Sequence, residues 1–290
     1  MGAIRPRRSA LYVPGSNTRA LEKGKELPVD VLIFDLEDAV APDAKEEARA
    51  TVLAALEKRA SYGRRELVVR VNGLDTPWGY GDLSALARAG ADALLLPKVE
   101  SVDAVRRALA VLAAVGAPED LPIWCMIETP LGVLRAEEIA RHPRVSCLVM
   151  GTSDLTKDLH ALHTRERLPM LVSLGICVLA ARAAGIAILD GVHLDLSDDE
   201  GFAAACRQGR ELGFDGKTLI HPKQIPVANA AFGPSPEELE QARRVLAAYR
   251  AARETGAGVA VVDGRLVEAL HAREAERILA LAAAIAERGA

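Results

Sequence analysis

Aromatic residues make up only 3% of this 290-residue chain, which removes the stacking platforms that single-stranded nucleic acids and sugars need. The net charge of −4 leaves no basic footprint for a phosphate backbone, so nucleic acid is excluded as a partner. Cysteines are few, at positions 125, 147, 177 and 206, and lie in or beside apolar runs without the short paired spacing of a zinc site or a disulfide framework. They read as reduced core thiols. No apolar stretch is long enough to span a bilayer, and the opening Met1-Gly2-Ala3-Ile4-Arg5-Pro6 has no signal-peptide core. Pro6 stands where a myristoylation motif takes Ser or Thr, so a soluble cytoplasmic protein with no membrane partner is expected. The Gly-rich turn of a dinucleotide-binding sheet is also missing, since Pro14-Gly15-Ser16-Asn17 offers one glycine.

What the chain does have is apolar mass and rhythm. Half its residues are apolar. Short apolar runs bounded by Gly, Pro and Asp alternate with Ala/Leu/Arg/Glu segments of helical period along the first 225 residues or so. The candidate strands are Ala10 to Val13, Val31 to Asp35, Leu67 to Val71, Ala93 to Leu96, Ile123 to Ile127, Cys147 to Met150, Ile186 to Leu189 and Thr218 to Ile220. Eight such units make an α/β chain whose economical solution is a (β/α)8 TIM barrel. Continuous apolar runs such as Val31-Leu32-Ile33-Phe34 fit a parallel sheet covered on both faces.

A barrel domain over residues 1–232 and a C-terminal helical extension over 233–290 are expected. Ser235-Pro236-Glu237-Glu238 carries the capping residue, the first-turn proline and the third-position glutamate of a helix start. That helix reaches about Arg253. A short strand at Val259 to Val262, a turn at Asp263-Gly264 and a last helix from Glu268 to about Glu287 follow. This lobe either covers its own barrel or packs on a neighbouring subunit.

Barrel enzymes place their chemistry after the C-terminal ends of the strands, and those positions are polar in this chain. Strand two ends in Asp35-Leu36-Glu37-Asp38, strand three in Arg70-Val71-Asn72, strand four in Pro97-Lys98, strand five in Glu128-Thr129-Pro130; strand six leads to Asp154, strand seven to Asp190, and Lys217 and His221 flank strand eight. Singly, each fits a cap or a salt bridge. As a set on one rim they mark a functional site. Glu128 and Asp154, one strand and helix apart, form an oxygen-only pair suited to Mg²⁺, with Mn²⁺ as the alternative ion. A 2-oxo acid can chelate such a cation, with Glu37 and Asp38 holding its waters and Arg70 binding a developing oxyanion or a substrate carboxylate. Lys98 raises Schiff-base chemistry, which needs a desolvated lysine, against a lysine kept charged by nearby carboxylates. Asp158 reads as a loop anchor. His160 and His163 sit in a polar loop with no acid pattern and do not read as ligands.

Arg8-Ser9-Ala10-Leu11-Tyr12-Val13-Pro14-Gly15, Phe34-Asp35-Leu36-Glu37-Asp38-Ala39-Val40, Val69-Arg70-Val71-Asn72, Leu96-Pro97-Lys98, Ile127-Glu128-Thr129-Pro130, the Gly151 to Leu159 segment and Ile220-His221-Pro222 occur in that order. Together they resemble the family of citrate lyase β subunits and the related malyl-CoA and citramalyl-CoA lyases. The resemblance implies a Mg²⁺-dependent carbon–carbon lyase that is a homotrimer or a larger assembly of trimers. Its substrate would be a 3-hydroxyacyl thioester carried by coenzyme A or an acyl-carrier protein, cleaved to a 2-oxo acid such as oxaloacetate and an acyl thioester. It also implies that Glu128 and Asp154 bind the metal, that Glu37 and Asp38 position its waters, and that Arg70 contacts the oxo acid. Arg19 and Lys23 match positions associated with the CoA phosphates. Two departures stand out. Glu268, in Gly264-Arg265-Leu266-Val267-Glu268, takes the place of a catalytic aspartate that reaches a neighbouring subunit, and His160 replaces a usual glycine. The first keeps open a non-catalytic alternative, a metal- and oxo-acid-binding regulatory or scaffold protein.

Overall fold

The computed structural model describes residues 4–289. Eight parallel strands close on themselves in sequence order: β1 (Ser9–Pro14), β2 (Val31–Asp35), β3 (Glu66–Arg70), β4 (Ala93–Leu96), β5 (Ile123–Ile127), β6 (Val145–Met150), β7 (Ala187–Asp190) and β8 (Gly216–Leu219), with β8 pairing back onto β1. Three of the strands expected from sequence, β2, β4 and β5, have the expected bounds. The others shift by a residue or two, where a polar residue such as Ser9, Glu66 or Lys217 continues the ladder because it finds a partner.

The strands are buried on both faces, which is why they read as apolar runs rather than alternations. Alternate residues Ala10, Val31, Ile33, Val68, Ala93, Leu95, Trp124, Met126, Cys147, Val149 and Leu189 fill one core cluster. All four cysteines are free and buried, and burial pushes the Cys206 thiol up to about 11. The end of the barrel where the strands begin is tied by arginines: Arg7 to Glu66 and Arg8 to Asp30, both at 2.8 Å, and Arg7 also lies 4.7 Å over the Trp124 ring.

Arg7–Asn229 is one compact unit; residues 230–289, with residues 4–6, make a second. In the second unit the expected capping box forms, with Ser235 Oγ accepting from the Glu238 N–H and the Glu238 carboxylate accepting from the Ser235 N–H. The helix it starts spans Pro236–Glu254. Strands β9 (Ala260–Val262) and β10 (Arg265–Val267) pair antiparallel across Asp263-Gly264, whose φ angles of 51° and 74° are those of a two-residue type I′ hairpin. The final helix, Ala269–Gly289, follows at once. No helix of the described residues is long and apolar enough to cross a membrane.

Candidate active site

Seven of the eight strands, all but β4, contribute to one cavity of about 300 Å³ at their C-terminal ends, lined among others by Tyr12, Asp35, Asp38, Arg70, Glu128 and Asp154. Its centre is Arg70. Asp35, fully buried at the end of β2, takes Nε and Nη2 of Arg70 in a bidentate pair at 2.7 and 2.6 Å. The remaining nitrogen, Nη1, lies 2.8 Å from Glu37 and 3.3 Å from Asp38. The Tyr12 ring lies beneath the guanidinium at 4.8 Å. Burial disfavours the charge on Arg70, but the Asp35 hydrogen bond and the surrounding acids outweigh it and hold the guanidinium protonated well beyond its ordinary range.

The loop after β2 is built around the same aspartate. Asp35 also accepts the backbone N–H groups of Glu37 and Ala39. Buried Lys45 donates to the carbonyls of Leu36 and Glu37, and Asn72 donates to Leu36 from the far side. Every backbone turn that presents Glu37 and Asp38 is therefore fixed by side chains of neighbouring elements.

Glu128 follows β5, 2% exposed. Oε1 accepts the backbone N–H of Lys98 at 2.7 Å, and Lys98 takes up φ 47° to deliver it. A non-glycine residue in that left-handed region costs roughly 1–2 kcal/mol. Oε2 faces Gly151, where an added Cβ would lie 2.5 Å from it and 2.3 Å from Glu128 Cβ. Only glycine lets the chain after β6 pass so close. Asp154 then sits in the first turn of the helix Thr152–Asp158 and lines the same cavity. Burial pushes Glu128 up to about 7 against the pull of the Lys98 N–H and Arg70, with repulsion from Asp154 adding to it. Burial likewise raises Glu37 to about 7, opposed by Arg70 and aided by Asp38 and Glu128.

Crowded acids of this kind stay ionised together only beside further positive charge. The donors are hard carboxylate oxygens, which fits a small divalent cation. Among the described residues no group of three or more His, Cys, Asp and Glu could hold a metal. Two carboxylates leave most of an octahedron to water or substrate, which is the usual manner of Mg²⁺ and not of structural zinc.

The sequence-derived residues divide into those the barrel gathers and those it does not. Glu37, Asp38, Arg70, Glu128 and Asp154 share the rim. For Lys98, burial disfavours the charge but Glu37, Asp154 and Glu128 outweigh it and raise its pKa, the state opposite to an imine-forming lysine. Asp190 and Lys217 face each other at 2.8 Å, fully buried between β7 and β8. Arg19 and Lys23 lie exposed on the helix Thr18–Gly24. Asp158 is exposed at the end of its helix, and His160 has φ 51°. Glu268 belongs to the C-terminal unit, exposed just before the last helix, where its N–H donates to His271 Nδ1. Tyr12, Asp35 and Lys45 were not singled out from sequence, although Asp35 stands in the same acidic run as Glu37. A tyrosine inside a β-strand and a lysine in a helix give no pattern that separates them from packing and solvated surface.

Residues 8–222 match the family model described as HpcH/HpaI aldolase/citrate lyase. The chain belongs to this family. Among curated relatives of this family member, a (3S)-malyl-CoA thioesterase from Cereibacter sphaeroides is 54% identical over 281 residues, 97% of this chain and 96% of that one. Citrate lyase subunit beta from Escherichia coli (strain K12) is 38% identical over 270 residues, 91% of this chain and 89% of the relative. In structure, the protein CitE from Mycobacterium tuberculosis in complex with magnesium, acetoacetate and coenzyme A superposes with a TM-score of 0.77 at 32% identity, over 98% of this chain and 100% of that one. The fold and family expected from the motifs are thus the ones found.

Proposed function

We propose that this chain is a magnesium-dependent enzyme acting on a malyl-type 3-hydroxyacyl-CoA thioester, and that its reaction is hydrolysis to the hydroxy diacid and free coenzyme A. The observation that carries the reading is the acid pair on the barrel rim, Glu128 clamped by Lys98 and pressed against Gly151, with Asp154 on the same cavity and Arg70 beside it. The choice of hydrolysis rests on the relative with more than half its residues identical, a malyl-CoA thioesterase.

Magnesium, held by Glu128 and Asp154, supplies Lewis acidity toward the oxygens of a chelating hydroxy or oxo acid. Arg70 then serves two needs at once. Its Asp35 pair fixes the fork, and the Nη1 edge, shared with Glu37 and Asp38, faces the cavity where a carboxylate or oxyanion gathers charge. Glu37 and Asp38 accept from water in the same space. Glu37, raised to about 7, is suited to take and return a proton near neutral pH. Arg19 and Lys23 are assigned to the phosphates of coenzyme A. A homotrimer, in which Glu268 of a neighbouring copy serves as acid or base near the acyl group, belongs to the same proposal.

A second reading is carbon–carbon cleavage of the same thioester to a 2-oxo acid and an acyl thioester. It is favoured by the beta subunit of citrate lyase as a relative and by the family itself. One assay separates the two. Incubation with (3S)-malyl-CoA and Mg²⁺ gives free thiol and malate for hydrolysis, and glyoxylate with no free thiol for cleavage. Release of neither, with or without chelator, removes both.

A further inference from the structure

Beneath the rim, between β7 and β8, one carboxylate faces two cations. Asp190 is fully buried, as is Lys217, whose Nζ lies 2.8 Å from Oδ2. Arg167 adds a second positive charge, its Nη1 bridging both oxygens of Asp190 at 2.8 and 2.7 Å. Lys217 alone would neutralise Asp190. The second cation helps hold Asp190 ionised but, with burial as the larger cause, also pulls Lys217 below its ordinary range, so it comes at an electrostatic cost.

Arg167 belongs to the segment that joins the Asp154-bearing helix, Thr152–Asp158, to the next helix, Leu171–Ala184. From residue 162 to residue 169 every position is exposed except Arg167. It adopts φ 55° and ψ 26°, a left-handed conformation unfavourable for a side-chain-bearing residue. Besides Asp190, its Nε donates to Gln208 Oε1 at 2.8 Å and Nη2 to the Ala205 carbonyl at 3.2 Å, while Gln208 returns a hydrogen bond to the Glu166 carbonyl. All three guanidinium nitrogens are thereby committed to one geometry.

The other end of the Asp154 helix is set by the same aspartate. Asp190 accepts the N–H of Gly191 at 2.8 Å, and Gly191 approaches Thr152 so closely that an added Cβ would lie 2.4 Å from Oγ1. Thr152 follows Gly151, which in turn presses on Glu128. The start of the helix is thus wedged between Glu128 and the turn after Asp190, and the chain leaving it is latched to Asp190 by Arg167.

We infer that Arg167 is a positioning residue, which through Asp190 holds the Asp154 helix in register with Glu128. The inference rests on the reading of Glu128 and Asp154 as a cation-binding pair. Loss of Arg167 leaves the Asp190–Lys217 pair balanced, so the barrel keeps its fold while the Asp154 helix loses its tether.

The test is Mn²⁺ binding to the full chain, followed by calorimetry and electron paramagnetic resonance, in Arg167→Met, Arg167→Lys, Arg182→Met and Asp154→Asn. Arg182 is the control. It donates to the carbonyls of Ile186 and Gly213 and to Asp215 at the opposite ends of the same strands. Arg167→Met is expected to weaken Mn²⁺ binding by about 10- to 100-fold, the range for residues that orient metal ligands, and to lower kcat at saturating metal. Arg182→Met is expected to lose a comparable few degrees of melting temperature and to bind Mn²⁺ as the natural chain does. Arg167→Lys, whose single ammonium cannot reach three partners, should fall between, and it decides the question if Arg167→Met does not fold. Natural Mn²⁺ affinity in the Arg167 variants overturns the inference. Natural affinity in Asp154→Asn overturns instead the cation-pair reading on which it rests.

Discussion

The two ends of the barrel carry charge in opposite ways. Where the strands begin, four acids meet arginines: Asp30 with Arg8, Glu66 with Arg7, Asp92 with Arg59, Asp215 with Arg182. Where they end, Asp35, Glu37, Asp38, Glu128 and Asp154 surround Arg70 and Lys98. Polarity alone does not separate the two ends. Imbalance does, because five acids share two cations, and burial, with neighbouring acids adding to it, raises Glu37 and Glu128, which lowers the folded state's stability at neutral pH unless further positive charge joins them. The first end is a structural clamp, and the second has the excess of acids that the proposed cation site requires.

The sharpest way to break this contrast is Glu128→Gln. It removes one negative charge and, on the proposed reading, one oxygen ligand of the cation, while keeping the acceptor for the Lys98 N–H. Turnover should fall by about a thousandfold or more, since both metal affinity and the Lewis acid it supplies go together. The metal-free variant should melt no lower than the natural chain. A variant that keeps even a tenth of the activity would show that Glu128 is a structural acid. Arg70→Lys comes next. A lysine cannot form the bidentate pair with Asp35 and also present a donor to the cavity. A loss of about 100-fold in kcat, on the scale of removing one oxyanion donor, is expected. A change in KM alone would move Arg70 from the reacting atoms to a remote part of the substrate.

The contrast also explains what the sequence made legible. Buried parallel strands announce themselves as apolar runs, so the eight units and their order were visible, and so were the acids at their ends, because a carboxylate after an apolar run stands out. Partner choice was not visible. Asp190 and Lys217 read as rim residues of the same rank as Glu128, yet they fold against each other and Arg167. Nothing in a linear spacing says which of two nearby acids finds a cation. Tyr12 and Lys45 escaped for a related reason: each supports the site through a ring face or a backbone carbonyl, a use that leaves no motif. The left-handed φ of Lys98 and Arg167 was equally silent, because neither residue type marks such a turn.

At the clamped end, Arg7→Met should act on stability and not on chemistry. Glu66 is 2% exposed and would lose its bidentate partner, and the Trp124 ring its cation. Breaking a buried pair costs roughly 3–5 kcal/mol; with Arg7 partly exposed, about 2–4 kcal/mol is expected in urea unfolding. Unchanged kcat and KM for the folded fraction complete the contrast with Arg70.

A pH series sharpens the same comparison from the other side. Glu128 and Glu37, raised to about 7 from the usual carboxylate range by burial, bind protons more tightly folded than unfolded. Their linkage therefore favours the folded state at low pH, and that contribution is lost as pH rises from about 4.5 through 7. The metal-free protein should lose melting temperature across that window, and Mg²⁺ should restore it at the upper end, where the carboxylates are free to bind. Apparent Mg²⁺ affinity should accordingly weaken by up to about tenfold for each unit of pH below 7 per carboxylate that must deprotonate. A melting temperature that is flat from pH 5 to 8 without metal would mean that the rim acids are as well compensated as those at the clamped end.

The smallest effect expected is at His160, whose φ of 51° puts a side-chain-bearing residue where glycine is favoured. His160→Gly relieves about 1 kcal/mol of left-handed strain and adds a similar entropy to the unfolded chain, so the two terms nearly cancel and the melting temperature should move by about 2 °C or less. The imidazole is exposed and six residues beyond Asp154, which leaves it two roles: filler of an unfavourable turn or contact for the substrate. If it is filler, kcat/KM of the glycine variant stays within about twofold. A larger loss with unchanged stability and unchanged Mn²⁺ affinity would place the imidazole on the thioester side of the site, and it would extend the functional half of the barrel past the acids into the segment that Arg167 anchors.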